Sequence, residues 1–133
     1  MTAEAALLVA LGALVGAPLR FVVERRLASS YPWGTWIVNV AGSAVLGATA
    51  GYVSTLGQPS SAASFVALVG TGFCGSLTTF GGFAAQVLDL AASPSGTPLS
   101  GRSLRALGYG AVSLAACVGV AAMFYVATAS LTR

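Results

Sequence analysis

The sequence contains no histidine and no lysine, and only three acidic residues, Glu4, Glu24 and Asp89, against six arginines. General acid–base catalysis needs side chains that exchange protons near the working pH, and this chain offers almost none. Hydrolytic and metal-dependent enzymes are therefore not expected. Charged residues make up only 7% of the 133 positions, whereas soluble domains carry about a quarter. With 56% hydrophobic residues and a mean hydropathy of +0.88, the solvent for this chain is lipid. The two cysteines, Cys74 and Cys117, fall inside apolar stretches and lack metal or redox spacing; they read as small buried hydrophobes rather than a disulfide. The net charge of +3 does not point to nucleic acid, because the arginines sit at the ends of apolar runs and form no basic face. The N-terminus has no basic region of the signal-peptide kind and carries Glu4, so the first apolar run is expected to stay in the mature protein.

What is abundant is long apolar sequence. A helix needs about 20 apolar residues to cross the hydrocarbon core, and four such runs can be drawn, over about 4–26, 34–56, 62–91 and 103–130. Four of the five prolines, Pro32, Pro59, Pro94 and Pro98, fall in the polar gaps with Ser29, Ser30, Gln58, Ser60, Ser61, Ser93, Ser95 and Gly96. The runs are continuous rather than alternating, which favours helices over a barrel. The expectation is an all-α membrane protein, a single four-helix transmembrane domain over 1–133 in the cell membrane.

Arginine placement sets an expected orientation. The 1–2 and 3–4 loops carry Arg25, Arg26, Arg102 and Arg105, while the side of the termini carries Arg133. The positive-inside rule puts those loops in the cytoplasm and both termini outside. Gly12/Gly16 and Gly47/Gly51, at four-residue spacing, suit close helix packing.

Polar residues within a span turn toward protein or water rather than lipid. Arg20, after Gly16-Ala17-Pro18, is either an interfacial anchor or a vestibule charge. Asn39 offers two N–H donors, for an anion or for a neighbouring helix. The third run holds Gly70, Gly72, Gly75, Gly81 and Gly82 around Thr78-Thr79, a density that predicts a break at 75–80, near the middle of that span. Unwound backbone at membrane depth belongs beside protein or a cavity, where its freed carbonyls suit a cation. Phe80 and Phe83 share a helix side after the break; they are either core packing or positive ring edges presented to a small anion. Tyr109, Ser113 and Cys117 recur every four residues in the fourth run. The hydroxyls in this stripe, those of Tyr109 and Ser113, either face an ion or bond the carbonyl one turn back.

In order along the chain, Gly12-Ala13-Leu14-Val15-Gly16-Ala17-Pro18-Leu19-Arg20-Phe21, Gly34-Thr35 to Asn39 with Gly42 and Gly47, Gly75 to Phe83, and the Tyr109/Ser113 stripe resemble the Fluc (CrcB) fluoride-channel family. The resemblance covers the whole chain and implies a subunit of an antiparallel dimer, with fluoride pores at the subunit interface and a structural Na⁺ between the broken third helices. It implies that Gly75 and Thr78 give main-chain carbonyls to Na⁺, that Asn39, Phe80, Phe83, Tyr109 and Ser113 line the pore, and that export of fluoride is passive. The chain departs from the family where Gly81 and Gly82 replace Ser and Thr, where Gln86 replaces a common Glu, and where Cys117 replaces a Ser or Thr. An Arg bias of one sign suits a fixed orientation, so the partner is expected to be either a second copy or an oppositely oriented homologue. Two alternatives are a small antiparallel multidrug exporter, which needs a membrane-embedded carboxylate that this chain lacks, and a non-conducting partner subunit of a fluoride channel.

Overall fold

A computed structural model describes residues 2–56, 59–92 and 99–132, so Gln58, the loop residues Ser93, Pro94, Ser95, Gly96 and Pro98, and Arg133 lie outside the described residues. Among the described residues the regular structure is entirely helical: α1 (Ala3–Arg26), α2 (Trp33–Val53), α3 (Pro59–Phe65), a π-helix (Val66–Cys74), α4 (Gly75–Leu77), α5 (Phe80–Ala92) and α6 (Leu99–Leu131). Four stretches, Ala3–Arg26, Trp33–Val53, Ala62–Ala92 and Gly101–Leu131, are long and apolar enough to cross a membrane.

Local chemistry sets the helix ends. The Thr2 hydroxyl accepts from the Ala5 amide at 3.3 Å and so caps the start of α1. Glu4 lies in its first turn and Arg25 and Arg26 in its last, each sign matched to the helix dipole. α2 stops at Val53, three residues before the end read from hydropathy. The hydroxyls of Ser54 and Thr55 bond the carbonyls of Gly51 and Tyr52 at 2.7 and 2.8 Å, which satisfies the last turn without further helix.

Glycines decide which helices touch closely. α1 packs on the π-helix and α4, while α2 packs on α6. A methyl group at Gly12 or Gly16 would run into the backbone around Leu68 and Phe73, and one at Gly47 or Gly51 into the backbone of Ala121 or Tyr125. Backbone-to-backbone approach of this kind replaces the hydrophobic effect as the packing force in lipid. Leu14, Val118 and many other large apolar side chains are correspondingly exposed on the outside of the bundle.

The third span is broken, more sharply and with more preamble than its glycines predict. Gly75–Leu77 is still helical, and only Thr78 and Thr79 leave the helix. Before them runs a nine-residue π-helix, a form that is rare and mostly confined to single turns. The Ser76 hydroxyl bonds the carbonyls of Gly72 at 2.7 Å and Phe73 at 3.0 Å, and the Thr78 hydroxyl bonds that of Cys74 at 2.9 Å. Such back-bonding competes with the amide ladder and loosens the turns on which it acts.

Candidate functional site

The break is held open by a single side chain from α2. Asn39 donates from Nδ2 to the Thr79 carbonyl at 3.2 Å and accepts from the Thr79 amide on Oδ1 at 2.8 Å. In an unbroken helix that amide would close the turn onto the Gly75 carbonyl, so the clamp frees Gly75. Thr79 then caps α5: its hydroxyl accepts from the Gly82 amide at 3.0 Å, and this amide is thereby withdrawn from the Thr78 carbonyl. Arg20 takes up part of what is released, donating from Nη1 to the Thr78 carbonyl at 3.3 Å. Its guanidinium thus serves the break rather than reaching outward. Gly42 lets α2 come close here, since a methyl group at that position would run into the Thr78 side chain.

Beside the break lies a groove of about 290 Å³ whose wall includes Asn39, Gly75, Thr78, Phe80, Phe83 and Ser113, with Cys74 and Cys117. Six of the predicted site residues therefore meet on one surface. Phe83 is buried and Phe80 is 76% exposed, with ring centroids 5.8 Å apart and planes tilted at 48°. Their faces are not stacked.

Ser113 is 4% exposed and its hydroxyl has no hydrogen-bond partner. Buried hydroxyls are nearly always satisfied, and among the described residues only this atom and Arg102 Nε are buried side-chain polar atoms left without a bond. Tyr109, one turn earlier on α6, stands behind the groove rather than on its wall. Its ring lies 5.6 Å from that of Phe83 and 5.6 Å from that of Tyr31, the latter edge-on at 86°. Its hydroxyl donates to Gln86 Oε1 at 3.0 Å.

The positions that depart from the family pattern behave differently from one another. At Gly81 a side chain would meet nothing, whereas at Gly82 a Cβ would sit 3.0 Å from the Thr79 methyl and press on the cap. Gln86 is engaged at both ends of its amide, donating from Nε2 to the Thr35 hydroxyl at 2.6 Å while accepting from Tyr109. Thr35 and Glu24 were not singled out by sequence reasoning as parts of the site. Glu24 sits beside Arg25 in sequence, which hides its role, yet Thr35 donates to its Oε1 at 3.2 Å.

Comparison with known proteins agrees with the resemblance read from the motifs. Residues 7–126 match the family described as CrcB-like protein, Camphor Resistance (CrcB). The chain is 44% identical over 91 residues to "Fluoride-specific ion channel FluC 1" of Frankia casuarinae, covering 64% of this chain and 70% of that one. It is 38% identical over 122 residues to the protein of the same name from Thermobifida fusca, covering 89% and 90% of the two chains. It is likewise 38% identical over 122 residues to "Fluoride-specific ion channel FluC" of Hyphomonas neptunium, covering 89% and 88%. With a match spanning all four apolar helices, this multi-pass integral membrane protein, which is not an enzyme, belongs to the CrcB family.

Proposed function

We propose that the chain is a subunit of a fluoride-specific ion channel that lowers cytoplasmic fluoride by passive export. The observation that carries this reading is the buried, unpartnered Ser113 hydroxyl on a groove walled by Phe80, Phe83 and Asn39. Fluoride is small and strongly hydrated, so a pore must replace its water with donors without binding it as tightly as a fixed cation would. A hydroxyl with an uncommitted proton and aromatic ring edges supply that graded, chargeless attraction. HF crosses the bilayer neutral and dissociates in a less acidic cytoplasm, so the trapped anion needs only a conduit. Its gradient drives it out.

The exposure of Phe80 within one chain supports a dimer, because a ring on the pore wall needs a second surface opposite it. An antiparallel partner would supply that surface. Arg25 and Arg26 at the end of α1 and Arg102 and Arg105 at the start of α6 favour one insertion direction, and so a partner chain of opposite bias that carries hydroxyls where this one has Gly81 and Gly82. Labelling tags on both termini from each side of the membrane tests this. Equal labelling from both sides would replace the heterodimer with a homodimer.

A structural Na⁺ between the two broken helices fits the donor set in part. The Gly75 and Thr78 carbonyls are both released from the helix ladder, and broken-helix carbonyls are natural Na⁺ ligands. Arg20 already bonds the Thr78 oxygen, which sets a positive charge against a cation there. Gly75 is the stronger ligand of the two. A hard cation takes several oxygens, so both copies would have to contribute.

Fluoride efflux from liposomes holding the purified chain, alone and with a co-expressed homologue, with chloride as control, tests the channel reading. Absence of fluoride efflux from both preparations would refute it. The exporter alternative is poorly supported: Glu4 and Asp89 are exposed and the Glu24 carboxylate is bonded by Thr35.

A further inference from the structure

Near the α1–α2 connection lies a second cavity of about 480 Å³, walled by Glu24, Tyr31, Thr35, Gln86 and Asp89 among others. From it a line of hydrogen bonds runs into the bundle: Glu24 to Thr35 at 3.2 Å, Thr35 to Gln86 at 2.6 Å, Gln86 to Tyr109 at 3.0 Å. Thr35 is 2% exposed and Tyr109 3%, so neither has water as a substitute partner.

The carboxylate at one end decides the direction of every link. A carboxylate only accepts, so the single Thr35 proton must go to Glu24. Thr35 can then only accept from Gln86, which turns the amide NH₂ toward Thr35 and the carbonyl toward Tyr109. Tyr109 must in turn donate to that carbonyl. Its proton is thereby committed away from the groove, and toward Ser113 on the next turn it can present only lone pairs. Of the two, only Ser113, whose hydroxyl makes no bond, can still turn a proton toward the groove.

Resting on the channel reading above, we infer that Glu24 is a positioning residue for conduction: through Thr35 and Gln86 it fixes Tyr109 as a donor into the bundle and so makes Ser113 the hydroxyl that serves the anion. The same logic explains why position 86 holds an amide. A carboxylate there would leave Thr35 between two acceptors with one proton to give, whereas an amide completes the chain.

A reciprocal exchange tests this in fluoride efflux from liposomes. Glu24→Gln alone lets Thr35 donate to Gln86, which turns that amide's NH₂ toward Tyr109 and frees the Tyr109 proton, and it is expected to lower efflux by about tenfold, the effect of one hydrogen bond. In Glu24→Gln/Gln86→Glu the carboxylate is moved to the centre: the new amide at 24 donates to Thr35, while Thr35 and Tyr109 both donate to residue 86. Efflux is expected to recover to within about threefold of the parent, each link again being made. Wild-type-like efflux from Glu24→Gln, or a double variant no better than that single one, overturns the inference while the parent's own efflux still supports the channel reading. If Glu24→Gln cannot be recovered folded, monodisperse protein from the double variant reports the same coupling, and its absence counts against it.

Discussion

The Asn39 side chain bonds both backbone polar groups of Thr79, its amide and its carbonyl, across the gap between α2 and the broken span. The pairing has the form of one rung of a β-ladder made by a side chain. It satisfies at membrane depth the two groups that a break would otherwise orphan.

Replacing Asn39 with Ala therefore removes both partners of Thr79 at once. The expected loss of stability is about 3 kcal/mol, from two part-buried backbone groups left unmet, read as a lower Tm in detergent and accompanied by loss of fluoride efflux. Asn39→Asp keeps an acceptor for the Thr79 amide and loses the donor to its carbonyl, so it is expected to fall between the two. An Asn39→Ala protein with unchanged Tm would show that the clamp does not hold the break.

Ser113 separates stability from transport. Its hydroxyl makes no hydrogen bond in the folded chain, so Ser113→Ala is expected to leave Tm unchanged or slightly raised, removal of an unmet buried polar group being neutral to favourable. Efflux should drop by about tenfold or more, the effect of one lost donor to an anion. Ser113→Thr, which keeps the hydroxyl, is expected to retain most of it. A large fall in Tm with Ser113→Ala would mean that the hydroxyl has a partner after all.

Gly12 and Gly119 are glycines of opposite kinds. A side chain at Gly12 meets the backbone of the π-helix, whereas one at Gly119 meets nothing within the chain. Gly12→Leu is expected to cost about 3 kcal/mol or more by overpacking and to reduce the yield of monodisperse protein on size exclusion. Gly119→Ala should purify like the parent.

Sodium dependence tests the carbonyl site. Exchanging Na⁺ for a large organic cation throughout purification and assay is expected to lower both Tm and efflux. Arg20→Gln removes the positive charge from the Thr78 carbonyl and should lower the Na⁺ concentration needed for half-maximal efflux. Efflux indifferent to Na⁺ in the parent and in the variant would rule out a structural cation at Gly75 and Thr78.

The four apolar spans and the weakness of the third were legible because they are local: hydropathy over about 20 residues and glycine density need no knowledge of neighbours. Phe80, Phe83 and Ser113 on the groove were legible through the spacing of Phe80 with Phe83 and of Tyr109 with Ser113, although Tyr109 itself stands behind the wall. The π-helix was not. Its nine residues, Val66–Cys74, pack against Gly12 and Gly16, which are remote in sequence. Arg20 carried two readings, anchor or vestibule, and neither foresaw its bond to the Thr78 carbonyl. Glu24 was obscured by Arg25 next to it, although in space the two diverge: Glu24 faces Thr35, while Arg25 extends over the Phe21 ring, 5.8 Å from its centroid. Gln86 read as a lost carboxylate until its two partners were seen.

The break at Thr78 and Thr79 also divides the third span between different neighbours. The π-helix and α4 before it pack against α1, and α5 after it packs against α6. The site thus sits on a seam between two half-bundles, where neither half's apolar packing dictates its shape and one amide side chain from α2 does. A substitution on the far half such as one at Gly81, where a side chain would meet nothing, leaves the α1 contact untouched. The half that carries the rings can in this way change while the half that packs on α1 stays fixed.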